Sequence, residues 1–176
     1  MSLMRFLGLG GGSAGREAEP ASLVELGASL ESMEPAEARL AAAFAYLLAR
    51  VASADLRTEE SEEAAMAERL ATFGGLVPET AAVLARAAIR VTAAHGGTDD
   101  HLVARAFRDM TESEERLRLL RCLYAVAAAD DTITTVEDNE IFEIATAIGV
   151  RRSDVVAIRS EWREYLGTLK ALPSER

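Results

Sequence analysis

The sequence predicts an all-α fold, a compact helical bundle of about six to eight helices. Apolar residues recur at helical spacing from about residue 35 onward, and no segment sustains the two-residue alternation of a half-buried strand. Glycine and proline fall between these periodic segments, where helices end and begin. Only 5% of the residues are aromatic. The core must therefore consist mainly of Ala, Leu, Val and Ile, which favours closely packed helices.

The periodic segments define the individual helices. The predicted ranges are about 35–54, 58–73, 78–94, 99–110, 111–129, 134–149 and 153–172, with a further short helix at 21–31. Within them, the residues at core spacing include Phe44, Leu48, Met66, Leu70, Phe73, Leu84, Leu120, Tyr124, Ile141, Ile144, Trp162 and Tyr165. These stripes predict one continuous core rather than several separate ones.

Helix ends are marked by residues with known positional preferences. Pro35 and Pro78 are acceptable in a first helical turn, and glycines at 74–75, 96–97 and 149 predict helix stops. Two Thr-x-x-Glu sequences, Thr111 to Glu114 and Thr134 to Glu137, have the spacing of a capping box. Ser153 is the predicted N-cap of the last helix.

The distribution of residue types predicts a single helical domain at residues 21–172. Before it lies a flexible, glycine-rich leader at 1–20, in which Met1–Leu3 has the character of a cloning scar, and after it a tail at 173–176. The leader contains a literal GxGxxG, but no strand precedes it, so a dinucleotide site is not predicted. No apolar run reaches the roughly 18–20 residues of a membrane-spanning helix.

Charge and cysteine content narrow the functional classes. The chain of 176 residues has a formal net charge of -10. Such a surface repels phosphates, which argues against nucleic-acid binding and favours cations or a protein partner. Cys122 is the single cysteine, so an intrachain disulfide and a thiolate zinc site are excluded, and a cytoplasmic location with a buried, inert thiol is expected. The oligomeric state does not follow from the sequence.

An internal repeat is predicted from a shift of 75 positions. Without a gap, the shift aligns residues 48–82 with 123–157 and gives nine identities in 35 positions. The informative pairs are Asp55 with Asp130, Glu62 with Glu137, Glu68 with Glu143, and Gly74 with Gly149. Because these pairs fall where helices end and begin, we predict two duplicated hairpin units, about 36–94 and 111–169, with a pseudo-two-fold relation.

Each repeat unit places an Asp after one helix and a Glu at the start of the next. The residues are Asp55 and Glu62 in the first unit, and Asp130 and Glu137 in the second. Convergence of the four carboxylates would bind a hard divalent cation, Ca²⁺, Mg²⁺ or Mn²⁺. Two alternatives stay open: the residues act only as turn and capping residues, or they form an acidic surface for a basic partner. A standard EF-hand does not fit, because Val126 and Ala128 would occupy ligand positions.

No catalytic constellation is evident elsewhere. His95 and His101 flank a Gly-Gly-Thr-Asp-Asp connection without a nucleophile placed beside them. The one basic cluster, at Arg151, Arg152, Arg159 and Arg163, is either a solvated face or a docking surface for an acidic protein. An enzyme is therefore not predicted, and a carboxylate-dependent hydrolase is the least favoured function.

The segment from Leu123 to Glu137, followed by Ile141, Ile144, Ile148-Gly149 and Ser153, resembles the TerB-like tellurite-resistance family. That family's motif is an apolar helix, Ala-Asp-Gly, a short turn, Glu, and an apolar helix closing on a Leu-Gly type stop. The same domain begins the DjlA-type co-chaperones. The resemblance covers about residues 36–166.

The resemblance implies an all-helical domain with duplicated hairpins and a metal-binding acidic cluster, in proteins tied to tellurite and other stress responses. Its site residues map to Asp55, Glu62, Asp130 and Glu137. The family glycine after each Asp is Leu56 in the first unit and Asp131 in the second. Since Asp tolerates a positive φ better than Leu, metal binding by the first unit is the weaker expectation.

The predicted function is accordingly a non-enzymatic, cation-responsive binding or scaffold module. A metal-independent protein-protein interaction domain is the alternative.

Overall fold

A computed structural model describes residue 30 and residues 33–54, 60–95 and 100–167. The predicted leader at 1–20, nearly all of the short helix at 21–31, Asp55, and the tail at 173–176 lie outside these residues. No helix in the described ranges is long and apolar enough to cross a membrane.

Seven α-helices make up most of the described residues, in which the only β-structure is one isolated bridge. They are α1 (Pro35–Ala52), α2 (Glu60–Gly74), α3 (Pro78–His95), α4 (Asp100–Met110), α5 (Ser113–Ala127), α6 (Thr135–Ala147) and α7 (Arg152–Glu161). The predicted all-α bundle is confirmed.

Helix α1 is the centre of the bundle. It contacts α2, α3, α4, α5 and α6, and the five residues from Ala45 to Ala49 are completely buried. A helix that is apolar on nearly every side must be enclosed by other helices. Its alanines have small side chains, so the neighbouring helices pack close to its backbone. Along the outside, α2 packs on α3, and α7 packs on α5 and α6.

Most predicted helix ends are confirmed. Two of the three predicted glycine stops contain a left-handed glycine, with φ 65° at Gly75 and φ 77° at Gly149, whereas the stop predicted at 96–97 lies outside the described residues. Thr134 is the N-cap of α6, and its hydroxyl oxygen accepts a hydrogen bond from the Glu137 amide at 3.2 Å. These features are local, which is why the sequence predicts them well.

The capping box predicted at Thr111 and Glu114 is wrong. Helix α5 begins at Ser113, and the amide of its N-cap, Glu112, donates to Glu115 Oε2 at 2.8 Å. The Thr111 hydroxyl instead donates to the Phe107 carbonyl at 2.7 Å. Thr111 therefore satisfies a carbonyl at the end of α4 and is not available to begin α5.

The N-cap predicted at Ser153 is also wrong, because Arg151 is the N-cap and Ser153 is the second residue of α7. The same helix ends at Glu161, so Tyr165 lies beyond it rather than on its core stripe. Phe73, predicted in the core, is 42% exposed, and the Arg118 guanidinium lies 5.8 Å from its ring centroid. The predicted length of α7 is wrong because the chain turns after Glu161, and Leu166 then pairs with the distant residue Ile133.

Helix ends reproduce the spacing of the predicted repeat. Helix α1 ends at Ala52 and α5 at Ala127, 75 positions later, and the same interval separates the starts of α2 and α6. The starts of α3 and α7, Pro78 and Arg152, are 74 positions apart. The left-handed glycines Gly75 and Gly149 are also 74 positions apart, so the interval shortens by one position at the glycine stops. The pseudo-two-fold relation stays a prediction.

Candidate functional site

Asp130 lies in a tight turn that follows α5. Its Oδ1 accepts a hydrogen bond from the Thr132 amide at 3.0 Å, which is the geometry of an Asx turn. The next residue, Asp131, has φ 69°, and its amide donates to the Ala128 carbonyl at 3.0 Å. Asp131 thus takes the left-handed conformation that the family motif assigns to glycine, as the sequence predicted for this unit.

Glu137 is the third residue of α6 and closes the capping box with Thr134. The Thr134 amide and the Thr134 hydroxyl both donate to Glu137 Oε2, each at 2.7 Å. The predicted capping role of Glu137 is therefore confirmed. Both bonds go to one oxygen of the carboxyl group, so capping by Thr134 uses only Oε2.

The turn between Asp130 and Thr134 is held by a distant part of the chain. Ile133 forms a parallel bridge with Leu166. Its amide donates to the Tyr165 carbonyl at 2.7 Å, and its carbonyl accepts from the Gly167 amide at 2.9 Å. Ile133 and Leu166 are each 1% exposed. The segment after α7 consequently fixes the loop that carries the acidic residues.

Glu62 and Glu137 meet in the interior. Glu62, in the first turn of α2, is 5% exposed, and Glu137 is 6% exposed. The Glu62 carboxyl group lies within hydrogen-bonding reach of the Glu137 carboxyl group. Burial raises the pKa of Glu137, the hydrogen bonds from Thr134 and the contact with Glu62 lower it, and the charge of Asp130 raises it. Burial is the largest of these effects.

Two touching carboxyl groups in the interior need a positive partner. Two unit charges about 4 Å apart repel by about 4 kcal/mol at an effective dielectric constant of 20. A hydrogen bond between two carboxyl groups requires that one of them carries a proton, as in other carboxyl pairs that share a site. A cation placed between the same oxygens would displace that proton and remove the repulsion.

The four predicted site residues are thus only partly accounted for. Glu62 and Glu137 are in contact, and the charge of Asp130 acts on Glu137, whereas Asp55 lies outside the described residues. Within the described part of the chain, no group of three or more His, Cys, Asp or Glu side chains is placed to hold a metal ion. A cation at this point would therefore need Asp55, backbone carbonyls or water as further ligands.

A second charged cluster lies one turn further along α6 and was not predicted. Arg50 of α1 makes ion pairs with Glu140 and, at 3.0 Å from its Nε, with Asp100 Oδ2. The Tyr46 hydroxyl donates to Asp100 Oδ1 at 2.8 Å. Burial raises the pKa of Glu140 despite the nearby Arg50. The cluster joins α1, α4 and α6, and the only sequence signal for it was Tyr46 and Arg50 spaced four residues apart on one helix.

Residues outside the acidic site mostly have structural roles. Cys122 is buried, and burial raises its thiol pKa to about 11, which fits an inert thiol. In the predicted basic cluster, Arg151 pairs with Asp154 at 2.9 Å, and Arg159 pairs with Asp138 at 2.7 Å. Two of its four arginines thus compensate neighbouring carboxylates.

Comparison with protein families identifies the family to which the chain belongs. It matches the family described as "Tellurite resistance protein TerB" over residues 40–160. The match spans well over half of the 176 residues and includes Glu62, Asp130 and Glu137. The chain belongs to the TerB family, which confirms the resemblance predicted from its second repeat unit. No similar protein was found among curated proteins, and no solved structure matches.

Proposed function

We propose that this chain is a non-enzymatic, cation-responsive binding module in a stress response of the tellurite type. One observation carries the proposal: Glu62 and Glu137, from two different hairpins, bury their carboxyl groups against each other. A protein gains no stability from such a pair unless a proton or a cation compensates it. Membership of the TerB family, whose domains are generally non-catalytic, agrees with a binding role.

The proposed ligand set combines both repeat units. Glu62 and Glu137 supply the central oxygens, and Asp130 and Asp55 are the candidates for further ligands. Carboxylate oxygens suit hard cations, so Ca²⁺, Mg²⁺ and Mn²⁺ are the candidates. Mg²⁺ commonly takes one or two carboxylates and keeps several waters, so even the central pair is a sufficient protein contribution for that ion.

Cation binding would change how the two hairpins are joined. Glu62 lies in the first turn of α2 and Glu137 in the first turn of α6, so a shared cation would tie the two helix starts together. The Asp130–Thr134 turn is attached to this junction and is anchored by Leu166. We therefore expect metal to stiffen this end of the bundle and to alter the surface offered to a protein partner.

Calorimetric titration with Ca²⁺, Mg²⁺ and Mn²⁺ tests the proposal. Glu62→Gln and Glu137→Gln each remove a ligand charge and should weaken binding about tenfold or more. Matched controls are Glu68→Gln and Glu143→Gln, because these residues lie on the same two helices, are exposed, and also form a repeat pair. Absence of both heat and thermal shift at millimolar metal would refute cation binding.

The hydrogen bonds inside the turn favour a second function. Asp130 Oδ1 and Glu137 Oε2 are already used by the Asx turn and the capping box. If the acidic residues serve only to form those hydrogen bonds, the domain is a metal-independent protein-interaction module. A partner whose affinity for the chain is unchanged by EDTA, and unchanged by Glu137→Gln, would select this function over the first.

A further inference from the structure

A basic cavity lies on the described surface, away from the acidic pair. Its volume is about 360 Å³, within the range of small-molecule pockets. It is lined by α2, α5 and the residue that follows α7. The lining side chains that matter here are Arg69, Phe73, Arg118, Arg121, Cys122 and Trp162.

Two buried hydrogen-bond donors in this cavity have no acceptor. They are Arg69 Nε and Trp162 Nε1, neither of which has a partner among the described residues. Leaving a buried donor unpaired is unfavourable, because the donor has lost its hydrogen bonds to water without gaining others. Both groups are donors only, so the missing partner must be an acceptor.

Positive charge is concentrated at the same cavity although the chain as a whole carries -10. Arg69, Arg118 and Arg121 contribute three guanidinium groups, against one lining carboxylate, Glu114. Among the described residues, two of the arginines make long ion pairs, Arg69 with Glu68 and Arg121 with Glu161, each at 3.6 Å. The charges of Arg69 and Arg118 both lower the pKa of the Cys122 thiol. Since Cys122 lines the cavity, both charges contribute a positive potential there.

We propose that this cavity binds a small oxyanion, a phosphate or carboxylate group, with Arg69, Arg118 and Trp162 as the donors. Guanidinium groups bind such anions with charge-assisted hydrogen bonds. The indole N–H supplies a neutral donor, and Phe73 and Cys122 form an apolar wall for the remainder of the ligand. This site is independent of the acidic pair and does not rest on cation binding.

Trp162 is the chain's single tryptophan, so its indole N–H gives one assignable NMR signal. The test titrates inorganic phosphate into ¹⁵N-labelled protein in the presence of EDTA, with chloride at equal ionic strength as the salt control. We expect a saturable shift of the indole signal. Succinate forms a parallel titration that distinguishes a carboxylate ligand from a phosphate ligand.

Substitutions of the arginines test whether these residues bind the phosphate. Arg69→Gln and Arg118→Gln should each raise the phosphate Kd by about tenfold or more, because each removes a charge-assisted hydrogen bond. Arg105→Gln, with a side chain 72% exposed and outside the cavity, should leave the Kd unchanged. Circular dichroism shows whether each variant folds. If one arginine variant does not fold, the other arginine variant and Trp162→Phe still test the proposal, with phosphate binding measured by calorimetry.

Three results would overturn the proposal. They are a linear, non-saturable shift, an equal shift with chloride, and equal affinities for Arg69→Gln, Arg118→Gln and the unmodified chain. Each would mean that the arginines of this cavity do not form an oxyanion site.

Discussion

The carboxyl group of Glu62 lies within hydrogen-bonding reach of that of Glu137, although the two residues are 75 positions apart. Glu62 lies in the first turn of α2 and Glu137 in the first turn of α6, and both side chains are almost fully buried. Each helix start thus brings a carboxyl group to one shared point. Because the pair needs either a proton or a cation, its behaviour should depend jointly on pH and on metal.

Metal should stabilise the protein more at high pH than at low pH. Burial raises the pKa of Glu137, so protons compete with a cation for the pair, and raising the pH from about 5 to about 8 weakens that competition. Ca²⁺ at about 100 times its Kd should then add about 2.7 kcal/mol to the free energy of unfolding. For a domain of this size, that corresponds to a rise in Tm of about 5–10 °C.

Thermal unfolding with and without Ca²⁺ across this pH range checks the expectation. Glu137→Gln should lose the metal-dependent rise at high pH, while Glu143→Gln should keep it. Equal Ca²⁺ stabilisation at both pH values would count against the shared-proton picture.

Without metal, Glu137→Gln should flatten the pH dependence of stability. Burial raises the pKa of Glu137 in the folded protein, so the folded state keeps the proton to a higher pH than the unfolded chain does. The resulting contribution to the free energy of unfolding is fully present below the unfolded pKa of about 4.3 and is lost as pH rises through the folded pKa. Gln cannot titrate, yet its carbonyl can still accept the Thr134 amide.

Urea unfolding in EDTA over a series of pH values measures this slope. Glu143→Gln should retain the slope of the unmodified chain. Parallel curves for Glu137→Gln and the unmodified chain would show that Glu137 is not the titrating group.

Thr134→Ala should destabilise the protein, whereas Ser153→Ala should not. Thr134 caps α6 with a bond to the Glu137 amide, and loss of such a cap costs about 0.5–2 kcal/mol. Ser153 is exposed and lies inside α7, so its removal should change the free energy of unfolding by no more than about 0.5 kcal/mol. Urea unfolding of the two variants side by side decides the point, and a larger effect at Ser153 would reverse the assignment of the caps.

Asp131→Leu should be destabilising, whereas Asp131→Asn should be tolerated. Asp131 has φ 69°, the one positive φ at a non-glycine position among the described residues. Placing Leu there reproduces the residue found after Asp55 and should cost about 1–2 kcal/mol, because the Cβ of any residue clashes in left-handed backbone and Leu lacks the local hydrogen bonding by which Asp offsets that clash. Asn removes the charge but keeps the turn preference. Urea unfolding measures both variants, and equal stability of Leu and Asn would contradict the strain argument.

Much of the molecule was predictable from neighbouring residues. Apolar spacing predicted the helices, and glycine predicted the stops at Gly75 and Gly149 because only local backbone geometry is involved. Thr134 and Glu137 are three residues apart, so their capping box was predictable too. Where two partners competed for one side chain, as at Thr111, spacing alone gave the wrong cap.

The burial of individual side chains was less predictable. Phe73 has core spacing on α2 but is 42% exposed, since helical periodicity defines a face and not how far the neighbouring helix covers it. Arg69 and Arg118 also met at one cavity with Trp162, although they come from distant segments. No spacing rule connects residues on different helices.

By itself, the sequence determined the helices, the capping box of α6 and the four acidic candidates, because these follow from interactions within a few residues of chain. Only the tertiary structure decided that Glu62 and Glu137 touch, that Leu166 anchors the Asp130 turn, and that three arginines surround one cavity. Those relationships arise when amphipathic helices bury their apolar faces against each other, and side chains distant in the chain are then forced together in a medium where charge is costly.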